Sequence, residues 1–198
     1  ERTHKRGIIN RRKDGRYEPA DFHTRLDVWA MFEGWKDIPE AIREQLNARE
    51  LEYSEQHYQD SVKSMKKGQP RDLSEIYAEY ILLHESQALL DTVDHVYLLP
   101  CNCRSMMQRC AQTVYTCLRF DNYRSLGWEI SASRAKEIVR DANQKGLMQT
   151  AEVALTEAGA ITGAICSCCA DCCVHPELAE RYDARHIWPR AGEVGRPE

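Results

Sequence analysis

Residues 165–173 read Ile165-Cys166-Ser167-Cys168-Cys169-Ala170-Asp171-Cys172-Cys173, five cysteines in nine positions. Upstream, Cys101-Asn102-Cys103-Arg104 leads to Cys110 and then to Cys117-Leu118-Arg119-Phe120. These two blocks hold all nine cysteines of the 198-residue chain, and residues 1–100 have none. An odd number does not close into disulfide pairs. Sulfur crowded into one segment points to a local chemical task, and the organisation of the chain is best read outward from it.

Between the blocks, a helix is expected over about Ser133–Lys145, with Ser131 or Ser133 as its cap and Gly146 as its close. Strands are expected over Leu147–Leu155, Ala160–Ile165 and His95–Leu99, the last ended by Pro100. Cys110 and Cys117, seven apart, would share a face if that segment were helical. Toward the N-terminus, apolar residues at Phe22, Leu26, Trp29, Ala30 and Phe32 predict a helix over Asp21–Trp35. A long helix with a thin seam (Ile42, Leu46, Leu51, Tyr58, Val62, Met65) is expected from Pro39 to about Lys67. Another is expected over Leu73–Leu90. The first 20 residues look irregular. The tail from Trp188 to Glu198, with two prolines and two glycines, reads as loose. The fold class is therefore α+β, mainly helical. A helical region over 1–92 would offer a docking or dimer surface. A compact cysteine-rich domain with a small sheet follows over 93–187, then the tail over 188–198.

Composition bounds the partners. Lys plus Arg number 27 and Asp plus Glu 31, a net charge of −4, so no positive field gathers nucleic acid phosphates. Apolar residues at 42% and charged ones at 29% suit a globular protein with a real core. No apolar run nears the roughly 20 residues that span a bilayer. The basic stretch Arg2–Arg16 lacks a following apolar run and reads as a solvated tail or an arm on a partner, not an export signal. Free thiols favour a reducing, cytoplasmic setting.

Three uses of sulfur compete. Disulfide scaffolds are small and lack helical regions of this size. Structural zinc takes four ligands, and Cys169-x2-Cys172 has a zinc-like spacing, but nine thiols exceed one such site. Iron–sulfur clusters take four thiolates each, so the supply fits two clusters with one spare, or one with several sulfurs around it. The candidate ligands are Cys101, Cys103, Cys110, Cys117, Cys166, Cys168, Cys169, Cys172 and Cys173.

The pattern C-x-C-R-x5-C-x6-C-L-x-F, then Gly-Leu-Met, then I-C-x-C-C-x2-C-C resembles a family of ferredoxin-like 4Fe–4S proteins over about residues 95–175. Ser167 stands where that family usually has Asn. The bacterial ferredoxin module that often follows is missing, since no cysteine follows Cys173. The resemblance implies electron transfer through one or two 4Fe–4S clusters. Electrons would pass to a partner such as a flavoprotein or another oxidoreductase subunit, and self-association is also compatible. An alternative is an iron–sulfur enzyme with an open iron acting on a small substrate. A second is a zinc-stabilised interaction module.

The neighbours carry weaker signals. Arg104 would place a cation beside a negative cluster, or else pair with a surface carboxylate. His175, two residues after Cys173, and His95 are read as solvent-facing or capping residues. Phe120, Tyr115, Tyr123 and Trp128 would shield sulfur or fill the core, and Met106 and Met107 would fill core gaps. Glu75, Glu79, His84 and Glu85 do not meet the Glu-x-x-His spacing, because residue 81 is Ile, and read as a solvated helix face. No phosphate-binding glycine motif is present.

Overall fold

A computed structural model of the chain describes residues 1–12, 14–34, 37–67 and 77–181. The expected tail at 188–198 and the start of the helix expected over 73–90 lie outside these residues.

A short helix and a short hairpin open the chain: helix α1 (Arg2–Lys5), then strands β1 (Ile9–Arg11) and β2 (Tyr17–Pro19), paired antiparallel. Helix α2 (Phe22–Val28) starts at Asp21, whose carboxylate accepts from the Thr24 amide at 2.7 Å. It runs into a π-helical turn over Trp29–Glu33 that closes at Gly34. Helix α3 (Glu40–Lys66) matches the long helix expected from Pro39.

The chief correction follows. The protein is not mainly helical with a small sheet: six strands form one antiparallel sheet. They are β3 (Tyr77–Ile81), β4 (Val96–Pro100), β5 (Tyr115–Arg119), β6 (Trp128–Ile130), β7 (Met148–Leu155) and β8 (Ile161–Cys168). Their order is β3-β7-β8-β5-β4-β6. The expected helix over 73–90 gives way to β3, which pairs with β7 from Tyr77↔Val153 to Ile81↔Gln149. Over five residues an apolar helical stripe and a strand alternation look alike, and the ladder offered by β7 decides between them. Helix α4 (Leu83–Leu90) begins only after it, where the Leu82 amide donates to Glu85 at 2.5 Å. Glu79 is buried on β3 and Glu85 caps α4, so neither sits on a solvated helix face.

Cys110 and Cys117 share no helical face. Helix α5 (Asn102–Met107) ends at Gln108 in a left-handed conformation, and Cys117 lies in β5. Tyr115 and Thr116 favour the strand. Helix α6 (Ala132–Gln144), capped by Ser131, agrees with expectation, and helix α7 (Val174–Arg181) follows the second cysteine block. Strand β8 extends past the expected Ile165 through Cys166 and Cys168.

The two faces of the sheet have different characters. On one, α4 and α6 pack over Val96, Leu118 and Ile165, joined by Leu90, Ala135, Ile138 and Val139, a purely apolar core. On the other lie the sulfur atoms. Cys168, Cys169, Cys172 and Cys173 pack with Leu26 and Ala30 before them in the chain and with Met106 and Met107, which fill gaps as expected. Beside them, Leu51 and Tyr58 of α3 meet Val174, Leu178 and Ala179 at α7, with Ala78 of β3 beneath.

Candidate metal centre

Three parts of the chain bring the thiols together. Pro100 ends β4, and Cys101 and Cys103 enter α5. Cys110 hangs in the loop beyond α5. Strands β5 and β8 present Cys117 and Cys166 side by side, since the register Leu118↔Ile165 and Arg119↔Ala164 sets them opposite each other. Alternation keeps Cys166 and Cys168 on one face of β8. The turn after β8 carries Cys169, Cys172 and Cys173 into α7.

All nine cysteines are free thiols. Cys168, Cys169, Cys172 and Cys173 are buried, and the others half-buried. Cys169 Sγ lies 3.7 Å from Cys110 Sγ and 3.9 Å from Cys173 Sγ. The sulfurs of Cys110, Cys169 and Cys172 all lie within 4.8 Å of one another, a group able to hold a metal ion. Cys173 is the hub. Its thiol leans on Cys101, Cys103, Cys168 and Cys169 together, which drives its pKa far up. The bond from Cys173 brings Cys169 down to about 4, burial pushes Cys172 up to about 12, and the bond from Cys103 lowers Cys101. The physical cause is common to all: crowded thiols cannot all ionise side by side, so some keep protons to stabilise neighbouring thiolates. A bound cation would release those protons.

Arg104 completes this centre. It is 2% exposed. It donates to the Thr113 carbonyl at 3.0 Å, to the Ser167 carbonyl at 2.6 Å and to the Thr116 hydroxyl. Its partners are neutral, and no carboxylate pairs with it among the described residues. Burial alone would lower its pKa, yet the thiolate character of Cys101 and Cys169 raises it. The surface ion pair considered for it is not formed.

His175 departs from expectation. It is neither solvent-facing nor a cap. It is buried, with Nε2 2.9 Å from Glu152 Oε1. Burial opposes its charge, but Glu152 pushes it up to about 9, and Glu152 falls to about 2 despite its own burial. Cys166 Sγ is 3.9 Å from Glu152 Oε2, so these three residues make a second group of possible ligands. Sequence reading missed Glu152 altogether. The one available signal was a lone charged residue inside a strand otherwise free of charge.

Glu152, Cys166 and His175 line a cavity of about 370 Å³ between α2, α3 and the sheet, as do Cys101, Cys168 and Cys173. Helix α3 turns a polar stripe toward this side: Asn47, Glu50 and Ser54 are buried at helical spacing, and Glu50 and Ser54 line the cavity. That stripe explains the thin apolar seam. His23 of α2 bonds Glu50, and Asn102 donates to the buried Asp27. Elsewhere, His95 is exposed and pairs with Glu129 at 2.7 Å, in line with expectation. Trp128 and Tyr115 stack edge to face in solvent, 53% and 51% exposed, so they shield no sulfur. Phe120 belongs to the apolar core on the opposite face. The side chain of Tyr123 lies outside the described residues.

No helix among the described residues is long and apolar enough to cross a membrane. Comparison with protein families, with curated proteins and with solved structures finds no match for this chain.

Proposed function

We propose that this chain is an iron–sulfur electron-transfer protein, a cytoplasmic subunit or partner of a larger oxidoreductase, with one or two 4Fe–4S clusters. The observation that carries the reading is the buried Arg104 cation, set among the cysteines and bonded only to neutral groups among the described residues. A buried charge costs several kcal/mol unless it is paired. A guanidinium kept dry beside Cys101, Cys169 and Cys173 fits a site built for a strongly negative group. The four ligands of one cluster would come from the seven thiols gathered about Cys173: Cys101, Cys103, Cys110, Cys168, Cys169, Cys172 and Cys173 itself; a second cluster would draw on Cys117 or Cys166 as well. A cluster, when bound, supplies a one-electron store at modest reorganisation cost.

The chain's own residues set its conditions. The apolar packing of Leu26, Ala30, Met106 and Met107 keeps water from the sulfurs. The Cys169 amide donates to Cys173 Sγ at 3.3 Å and the Thr150 hydroxyl to Cys168 Sγ at 3.4 Å. Both bonds, like the Arg104 charge, stabilise electron-rich sulfur and raise a reduction potential.

One observation favours a second reading. A tetrahedral zinc ion with bonds of ~2.3 Å to sulfur sets its sulfurs about 3.8 Å apart. The Cys110–Cys169 and Cys169–Cys173 separations of 3.7 and 3.9 Å match that spacing. Zinc at Cys110, Cys169, Cys172 and Cys173 would then stabilise an interaction module. Anaerobic purification with iron, acid-labile sulfide and zinc counted per chain decides. Brown protein with iron and sulfide in equal amounts, and an electron paramagnetic resonance signal on reduction, is the expected result. Colourless, folded protein with zinc and no sulfide overturns it in favour of the second reading.

A further inference from the structure

Cys117, Glu152, Cys166 and His175 lie on the wall of the cavity, next to Cys168 and Cys173. Three of them place a nitrogen, an oxygen and a sulfur within 4.8 Å of one another. The fourth, Cys117, faces Cys166 across the β5–β8 ladder. Four different elements converge to make this group: β5 and β8 supply the sulfurs, β7 the carboxylate and α7 the imidazole.

The donor set has the chemistry of a mononuclear site. Imidazole, carboxylate and two thiolates are the ligand types that zinc and iron(II) accept. Tetrahedral bonds of about 2.0–2.3 Å set neighbouring donor atoms roughly 3.3–3.8 Å apart. The observed Nε2–Oε1 distance of 2.9 Å and Sγ–Oε2 distance of 3.9 Å lie within a few tenths of an ångström of that range. Two thiolates, a carboxylate and a neutral imidazole around a dication carry one excess negative charge. Arg119 lies on the same face of β5 as Cys117 and also lines the cavity, where it is paired with Asp121 at 3.1 Å. Tyr58 donates to Glu152 Oε1 at 3.3 Å and fixes the carboxylate from outside. The buried Nδ1 of His175 has no hydrogen-bond partner, so the imidazole is not saturated by the protein.

We propose that Cys117, Glu152, Cys166 and His175 form a mixed-donor site for a single divalent metal ion, of the zinc or iron(II) class, on the cavity wall. This site shares no ligand with the sulfur-only centre. An ion there is reached from the cavity, which is the placement of metals that meet small ligands. The competing description is a buried Glu152–His175 ion pair beside two inert thiols.

Zinc, added to the full-length chain and followed by removal of the excess, is the probe. The Glu152→Gln/His175→Gln double variant keeps the shape and hydrogen-bonding capacity of both side chains. It should retain one metal ion fewer per chain than the unaltered protein, with acid-labile sulfide unchanged. Equal metal in both overturns the proposal. Zinc-edge X-ray absorption on the unaltered protein gives a reading that does not depend on how the variant folds. Imidazole scattering with a mixed sulfur and light-atom shell is expected. An all-sulfur shell, or no bound zinc, leaves only the ion pair and overturns the site. The sulfide count reports separately on the cluster reading, since no residue proposed for that cluster is altered.

Discussion

Arg104 shows how one side chain couples stability to redox tuning. Its guanidinium ties α5 to the Thr113 and Ser167 carbonyls and to Thr116, and its charge faces the thiolates. Arg104→Met removes the charge and strands those carbonyls, so a loss of roughly 3–5 kcal/mol is expected, the cost of breaking a buried pair. In iron-loaded protein the reduction potential should fall as well. Arg104→Lys restores the charge but not the planar fork, so it should recover the potential more fully than the melting temperature. A redox titration beside thermal unfolding reads both, and a potential unmoved in Arg104→Met would refute the electrostatic role. His23 offers a different test. Burial lowers its pKa, but the bond to Glu50 and the nearby Asp27 outweigh that and bring it to about 9. A pKa raised in the folded state stabilises below the unfolded value of about 6.5 and loses that effect as pH climbs through about 9. The side chain is 40% exposed, so solvent screening leaves about 1 kcal/mol. Melting temperatures of the native chain and His23→Gln should therefore differ most near pH 6 and converge by about pH 10. At this scale the sequence was legible where chemistry is carried by residue type alone: cysteine spacing identified the thiols. His175 and Glu152 were not legible, because their pairing depends on β7 lying next to β8 and on α7 returning over both.

Strand β8 is the element on which both faces depend. It lies centrally between β7 and β5, sends Ile165 into the apolar core and sends Cys166 and Cys168 toward the sulfurs. Gly163 lets it approach β7. Its φ is +115°, and a Cβ there would fall 1.9 Å from the Glu152 carbonyl oxygen. Gly163→Ala must therefore shift backbone, not a side-chain tip. A loss at the upper end of the about 1–3 kcal/mol typical of overpacking is expected. The shift would also displace Glu152 itself, so metal bound at Glu152 and His175 should fall further than metal bound at the sulfur-only centre. Circular dichroism melting and zinc counting test this together. Elements with strong local signals were readable in advance. The capped, amphipathic α6 and the long α3 free of glycine and proline needed no tertiary help. Strand β3 reads as helix from sequence and β5 reads as neither, because a five-residue segment holds little periodic information and takes its form from the neighbour it pairs with. Strand β6, three residues long, had no pattern to read at all.

Across the whole molecule, the sheet separates two cores with different origins of stability. The core under α4 and α6 is built from Leu90, Val96, Leu118, Ile138, Val139 and Ile165 and contains no sulfur. On the opposite side, cysteines make up four of the ten buried residues of the cluster, and the turn joining β8 to α7 is mostly cysteine. Without a cation, thiolates and thiols crowd there at an electrostatic cost, and only hydrogen bonds between them offset it. Metal binding is folding energy for such a half, whereas the apolar half draws on burial alone at about 25 cal/mol per Å². Stripping metal with a chelator should therefore not unfold the chain in one step. Amide exchange should speed up first in α5, the turn at Ala170–Asp171 and α7. The amides of α6 and of the β4–β5 ladder should keep their protection until global unfolding. Hydrogen exchange read by mass spectrometry, with and without chelator, resolves these segments. Uniform loss of protection across both faces would mean that the two cores melt as one and that the sulfur centre supports the entire sheet. Unchanged protection at α5 and α7 would mean that the thiol network holds its shape without a metal, and that the crowding at Cys173 is tolerated by the apo fold.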